Sequence, residues 1–435
     1  MSPDTGSNAG IDATRARVLL IAPAGSYRTV PFVSAARALG AQVLIASDGR
    51  FALSAADVPG LTIPFHDHAT ALDHILAEHA RAPFRVMLGT DDVSTELAAQ
   101  ASARAGLAHN PASSTRIARR KDYARAQLAR CGVPVPRHWL LDLSLPLAEQ
   151  LRPISYPCVL KPVAMSASRG VIRADNADAL LVACARIQTI LREQAGTEEG
   201  NRILVETFIP GVEVAVEGLL TAGQLEILAI FDKPDPLDGP YFEETYYITP
   251  SRHSQAVQAE LSETIAAACR AYGLRHGPIH AECRINDEGV WILEVAARTI
   301  GGLCARLLRF GTGHGLEELV IRHALGERLE YSTEAGGAGV LMIPIRQAGI
   351  LRRVEGILAA EKIPFIEEVI IDVREGYELV PLPEGSQYLG FIYAHAPSAE
   401  QAEAALRAAH RCLHIVVAPM WRASLNLATA RGSWG

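Results

Sequence analysis

The sequence predicts a mixed α/β and α+β protein. It opens with a Rossmann-like, doubly wound parallel sheet, continues into a larger mixed body, and closes with a small α+β domain. Three observations predict this. Near the N-terminus, short apolar runs alternate with helical patterns, which builds βαβ units and a parallel sheet. In the middle, longer apolar runs are joined by Gly, Asn and Asp turn signals, as in antiparallel hairpins. From residue 338 onward the order is strand, helix, strand, strand, helix, strand, a ferredoxin-like order.

Composition bounds the function classes. A chain of 435 residues that is 49% hydrophobic can fill two to four domains with sizeable cores. No apolar run reaches the length of a membrane span. A net charge of −7 gives no electrostatic case for nucleic acid. Seven scattered cysteines with no C-x-x-C pair argue against a zinc site and fit a reducing, cytoplasmic location. Residues 1–14 are polar, lack the basic and apolar regions of a signal peptide, and read as a disordered leader. Only four lysines occur, Lys121, Lys161, Lys233 and Lys362, against an arginine-rich background. Each is either a chance survivor or a place where a compact ammonium is needed rather than a planar fork.

Arg17–Ala22, then a helix near 30–39, then Gln42–Ser47 form the first βαβ unit, and the pattern continues to Arg85–Gly89. The first turn holds one glycine, Gly25, and no G-x-G-x-x-G, so a dinucleotide site is not expected there. Asp91 and Asp92 follow the strand that ends at Gly89. They read more readily as helix-start acids favoured by the dipole than as ligands. Asn110-Pro111 closes this first domain, residues 15–112.

A helix is expected from about Ser113 to Leu128, carrying Lys121, and Val133-Pro-Val-Pro136 follows as an extended joint. Cys158-Val-Leu-Lys161 is a strand with a lysine near its end, followed by the small-residue loop Ser166–Gly170. That loop is either an ordinary hairpin loop or a backbone cradle for phosphate. Pro210-Gly211 interrupts two strands like a hinge, flanked by Glu206 and Glu213. Residues 113–208 are taken as one subdomain, with a lid at about 140–201, and residues 209–335 as a second.

The long polar loop 232–253 holds Glu243, Glu244, Tyr247 and Arg252. Ile279–Ile285 and Val290–Val295, separated by Asn286-Asp-Glu-Gly289, make a hairpin that sets Glu282 beside Glu294. The pair is either two strand-edge acids facing water or an oxygen-donor site for Mg²⁺. Arg298 and Gly301-Gly302 follow. The final segment, 336–435, shows no catalytic constellation of its own and ends in a fraying tail.

Taken in order, these signals resemble the ATP-grasp superfamily of carboxylate–amine ligases. They are Lys121, Val-Leu-Lys161-Pro with its Ser/Gly loop, Leu-Val-Glu206-Thr-Phe-Ile-Pro-Gly-Val-Glu213, Ala-Glu282 and Leu-Glu294-Val-Ala-Ala-Arg298. The likeness spans roughly residues 15–420 and is nearest to the L-amino acid ligase and carnosine synthase branch. It implies an ATP-grasp fold, ATP and Mg²⁺ (or Mn²⁺) as cofactors, small-molecule carboxylate and amine substrates, and an acyl-phosphate mechanism. Homodimerisation is common in that family.

By the same likeness, Lys121 and Lys161 would hold ATP phosphates, and Ser166, Ser168 and Gly170 would close over them. Glu206, with Thr207 and Ile209, would meet the adenine, and Glu213 the ribose. Glu282 and Glu294 would ligate the metal, and Arg298 would stabilise the acyl phosphate. Glu243, Glu244, Tyr247, Arg252, Gly301, Gly302 and Arg306 are the substrate-recognition candidates. Ala296 stands where many members carry Asn, so the ion would lean on the two glutamates, phosphates and water. Dipeptide formation is the expected reaction. The other readings are a ligase of the same fold acting on a purine-pathway or other metabolite, and a nucleotide-binding regulator without turnover.

Overall fold

In the computed structural model the described residues are 16–49, 58–309, 313–327 and 336–420, so the expected leader and the tail from 421 lie outside them. The N-terminal unit follows the predicted alternation: β1 (Arg17–Ile21), α1 (Thr29–Ala38), β2 (Gln42–Ser47), β3 (Gly60–Thr62), α2 (His68–Arg81), β4 (Val86–Gly89) and α3 (Asp92–Arg104). The strands lie in the order β3-β2-β1-β4, and all pair in parallel. Leu19, Leu20 and Ile21 are fully buried because helices cover both faces of such a sheet.

The next elements are α4 (Ala112–Arg119), α5 (Lys121–Arg130), β5 (His138–Asp142), α6 (Leu147–Gln150), β6 (Cys158–Pro162), β7 (Ile172–Ala174), α7 (Ala177–Ile190) and β8 (Arg202–Thr207). The helix expected as one piece is two. Arg120 adopts an extended backbone (φ −97°, ψ 104°) between α4 and α5. Its buried guanidinium binds Asp122 at 2.8 Å and reaches Glu198 at 3.3 Å. The break puts Lys121 at the start of α5, with its N–H on the Val163 carbonyl at 2.8 Å. β5, β8, β6 and β7 form a four-stranded antiparallel sheet with its own core of Leu160, Leu180, Ile187 and Ile203.

Then come β9 (Val212–Thr221), β10 (Gln224–Lys233), β11 (Tyr246–Thr249), α8 (Gln255–Tyr272), β12 (Gly277–Asn286), β13 (Gly289–Ala296) and α9 (Leu316–Leu325). The last are β14 (Gly337–Ile343), β15 (Gly349–Glu355), α10 (Ile357–Glu361), β16 (Ile366–Ile371), β17 (Glu378–Leu379), β18 (Gly390–Ala396), α11 (Ala399–Cys412) and β19 (His414–Ala418). An eight-stranded sheet in the order β13-β12-β9-β10-β11-β14-β18-β16 is the body of the molecule.

This departs from the sequence reading in two respects. The C-terminal segment is α+β, but the strand β15 takes up the start of the helix expected at about 352–360, which shrinks to Ile357–Glu361. The strands of this segment also do not form one sheet of their own. β14 pairs with β11 through Tyr246↔Leu341 and Tyr247↔Val340, and so splices β14, β18 and β16 into the central sheet. β17, β15 and β19 form a separate three-stranded sheet. The splice was hidden because β11 is only four residues long and sits in what reads as a polar loop. The predicted hairpin is present, with β12 and β13 in register Glu282↔Glu294. Gly211, at the hinge, has φ +123°, and a Cβ there would stand 2.2 Å from the Ile285 carbonyl oxygen, so only glycine fits.

Candidate active site

A cavity of about 850 Å³ opens where the parallel sheet, the four-stranded sheet and the central sheet meet. Lys121, Lys161, Ser166, Ser168, Glu206, Thr207, Ile209, Glu213, Glu244, Tyr247, Glu282, Glu294, Arg298, Gly301 and Gly302 all line it. These residues come from five separate stretches of chain: 121, 161–168, 206–213, 244–247 and 282–302. Gly170 lies just behind the wall, with its N–H on the Pro383 carbonyl at 2.9 Å. Arg252 and Arg306 stand outside the lining. Arg252 is held by Asp232 at 3.1 Å and Glu403 at 2.7 Å, and Arg306 by Glu368 at 2.6 Å.

On one side of the cavity, Glu206 at the end of β8 is 2% exposed and is met by Arg125 at 2.6 Å and Lys161 at 2.7 Å. Burial alone would raise this carboxyl; the two cations outweigh it and hold the group down to about 2. Burial in turn lowers Lys161, which Glu206 partly offsets. Lys121 reaches in from α5, donating to Glu294 at 2.9 Å and to the Met165 carbonyl at 2.9 Å. The Thr207 N–H is on the Arg137 carbonyl at 2.9 Å, and the Ile209 carbonyl accepts from Arg284 at 2.7 Å. Ala167 and Ser168 both have positive φ, 56° and 52°. Two consecutive non-glycine residues in that region cost roughly 1–2 kcal/mol each and mark a loop held in a special shape.

Acids gather at the centre of the sheet. Glu213 on β9, Glu244 before β11 and Glu282 on β12 bring carboxylate oxygens within 4.8 Å of one another. Lys233 at the end of β10 lies among them, 2.7 Å from Glu213, 3.5 Å from Glu282 and bonded to Glu244. Arg284 also meets Glu213 at 3.2 Å and His280 lies 3.4 Å from Glu282, so the three carboxylates are held by several cationic groups rather than by Lys233 alone. Burial and the neighbouring Glu282 push Glu244 up to about 7 despite Lys233. Burial opposes ionisation of Glu282 too, but Lys233 and His280 hold it well below the usual range. Hard oxygen donors gathered in this way suit a divalent cation. Glu282 and Glu294, directly opposed on the hairpin and with side chains 24% and 21% exposed, are the more open of these acids. Tyr247 donates to Glu244 at 2.8 Å.

The parallel sheet supplies the remaining wall. Asp91 begins α3, accepting Arg28 at 2.8 Å and Ser26 Oγ at 2.7 Å while its N–H donates to Ser94 Oγ at 3.1 Å. It is thus both a helix-start acid and part of the cavity lining. Asp92 lies 3.0 Å from Arg298 Nε. Burial would raise Asp92, but Arg298 and Arg28 keep it lowered, and Asp92 and Glu294 keep Arg298 charged against burial. The Gly302 N–H donates to Tyr27 Oη at 2.8 Å.

Sequence reasoning passed over Tyr27, Arg28, Lys233 and His280. Lys233 was visible as one of four lysines. Tyr27 and Arg28 follow the first βα turn, where open parallel sheets bind ligands. His280 stands two residues before Glu282. It lines the cavity and bonds Glu217 at 2.6 Å, and that fully buried glutamate also accepts the Ile300 N–H at 3.1 Å, so the pair ties the hairpin to the segment after Arg298.

Residues 154–306 match the ATP-grasp domain, and residues 341–418 match L-amino acid ligase C-terminal domain 2. The L-amino acid ligase of Bacillus licheniformis is similar in structure, with 25% sequence identity and a TM-score of 0.77, covering 93% of this chain and 99% of that one. Carnosine synthase 1 of Gallus gallus is 28% identical over 254 residues, 55% of this chain and 27% of that protein. An uncharacterized protein of Sinorhizobium fredii is 25% identical over 296 residues, 68% of this chain and 60% of its own length. The chain thus spans less than two thirds of the length of these curated relatives.

Glu206→Gln tests the electrostatics of the site. It leaves Arg125 and Lys161 buried with no anionic partner, which is expected to cost about 3–5 kcal/mol at neutral pH. Because the folded pKa lies near 2 and the ordinary value is 4.5, the wild-type advantage is full above 4.5 and is lost as pH falls toward 2. Urea unfolding of both proteins at pH 7 and at pH 3 checks this; a gap that stays constant between the two would contradict it.

Proposed function

From the premise that this chain is an ATP-grasp protein carrying the C-terminal domain of the L-amino acid ligases, we propose that it is an ATP-dependent carboxylate–amine ligase that joins amino acids into a dipeptide or a similar amide, releasing ADP and phosphate. The observation that carries the proposal is the convergence, on one cavity of about 850 Å³, of two lysines, a cluster of carboxylates and a buried arginine. That volume lies within the range of small-molecule and cofactor sites.

The chemistry follows from the charges. A carboxylate is a poor acylating agent, and phosphoryl transfer to it makes a good leaving group. Such a transfer consists mainly of positioning and charge neutralisation. Lys121 and Lys161 carry the cationic side of the cavity and would hold phosphate oxygens. Glu206 orients Lys161 by pairing with it at 2.7 Å, and Glu213, which lines the cavity, would accept a ribose hydroxyl. Glu282 and Glu294, with the neighbouring acids, would hold Mg²⁺, which when bound neutralises phosphate charge. Arg298, fixed by Asp92, would face the oxyanion that develops on the acyl carbon, a role in which a preorganised cation is worth most. Gly301 and Gly302 leave room for the acyl substrate, while Leu303, Met342 and Phe391 give that end an apolar wall.

An acyl phosphate must be kept from water. The Ser166–Gly170 loop is fastened across the cavity by the C-terminal segment. Arg169 Nε donates to the Glu384 carbonyl at 2.9 Å, and Arg186 pairs with the Glu384 carboxylate, its Nη2 at 2.8 Å. This contact would hold the lid closed.

Two experiments test the reading. Incubated with ATP, Mg²⁺ and pooled L-amino acids, the protein is expected to release ADP only when two amino acids are present, and Glu294→Ala to lower that rate by about 10²-fold or more while the fold is kept. ADP release stimulated only by other carboxylates would point to a different metabolite, and a Glu294→Ala protein of normal rate would remove the metal assignment. The Arg186–Glu384 pair is part-exposed, at 39% and 41%, and so contributes at most about 1 kcal/mol, or a shift of about fivefold in lid closure. Glu384→Ala should therefore raise the ratio of ADP released to amide formed by a few-fold; an unchanged ratio would show that the contact does not guard the intermediate.

A further inference from the structure

A second cavity, of about 220 Å³, lies behind the central sheet between β11 and α11. Arg346, Arg407, Arg411 and His410 border it, against a single acid, Asp235. That acid is already engaged: it accepts Arg407 at 2.7 Å and Thr245 Oγ at 2.9 Å. Arg407 is held again by Glu403 at 2.8 Å and lies over the Tyr246 ring, 4.4 Å from its centroid. It is therefore a fixed part of the wall with its charge largely met. Arg346 and Arg411 differ. Both are exposed to solvent. Arg346 is near enough to Glu243 to oppose the rise that burial gives that carboxyl, and among the described residues neither guanidinium has a hydrogen bond or an ion pair within 4 Å. They stand on different elements, one just beyond β14 and one near the end of α11, so their convergence is a product of the fold rather than of helical spacing.

We propose that this cavity is a binding site for a small oxyanion, of phosphate or carboxylate type, gripped chiefly by Arg346 and Arg411. Two guanidinium forks match the paired oxygens of such anions and form charge-assisted bonds to them. The volume admits a phosphate or a short dicarboxylate. His410, whose Nδ1 lies 3.2 Å from the Tyr246 hydroxyl, is held toward its neutral form by burial, by Arg346 and by Arg407. An entering anion would reverse the effect of those arginines and add a further donor. Tyr246 faces this cavity while its neighbour Tyr247 faces the large one, so β11 carries a wall of each site on its two faces. The site is independent of the activity proposed above.

Titration calorimetry with inorganic phosphate, and separately with malonate, tests the proposal on the full chain with Mg²⁺ and ADP present in excess. Binding of either probe is expected to weaken by about tenfold or more in the double variant Arg346→Gln/Arg411→Gln and to be unchanged in Lys161→Ala. Preference for phosphate or for malonate identifies which source of oxyanion the site serves. Binding that survives the double variant, binding lost in Lys161→Ala, or no binding of either probe would overturn the assignment.

Discussion

The structure depends on the neutralisation of charges buried around one cavity. Glu206, Glu213, Asp92, Lys161, Lys233 and Arg298 are all largely withdrawn from water, and an isolated charge in such a place costs several kcal/mol. Each finds a partner from a distant part of the chain. Arg125 meets Glu206 across 81 residues, and Arg298 meets Asp92 across 206. The parallel sheet, the lid sheet and the central sheet are thus required in their observed positions for these charges to be tolerated at all. Folding and assembly of the site are the same event, and a change in one charged residue is felt by elements from several sheets.

The same pairs account for the chemistry. Two lysines are held by single acids, Lys161 by Glu206 and Lys121 by Glu294, with side chains immobilised before any ligand arrives. Cations set in advance need not reorganise when charge develops on a substrate. On the opposite side Glu213, Glu244 and Glu282 bring carboxylate oxygens within 4.8 Å of one another, held by Lys233, Arg284 and His280. A cavity with clustered oxygen donors facing a lysine-bearing wall suits a nucleotide bound with its metal. The C-terminal segment closes it, because β14 is hydrogen-bonded to the very strand, β11, that follows Glu244.

Much of this was legible from residue types in order. The scarcity of lysine drew attention to Lys121 and Lys161, and the turn Asn286–Gly289 with two apolar runs located the hairpin. The turn alone would oppose Glu282 with Leu293, and a β-bulge beyond Cys283↔Ile292 is what brings Glu294 opposite. What was not legible depended on contacts between segments far apart. Nothing local distinguishes Asp92, a good helix-start acid, from one that pairs with Arg298. The break at Arg120 comes from burial of its side chain against Asp122 and Glu198, which no helical periodicity reveals. The C-terminal strands alternate like those of an independent small domain, and only the pairing of a four-residue strand joins them to the central sheet.

The central claim is that the cavity activates a carboxylate by phosphoryl transfer before an amine attacks. Isotope transfer tests it directly. With an amino acid mixture labelled with ¹⁸O in the carboxyl groups, together with ATP and Mg²⁺, mass spectrometry of the released phosphate should show one ¹⁸O passed from the carboxylate in each turnover. Unlabelled phosphate accompanying amide formation would contradict an acyl-phosphate route and the roles derived from it.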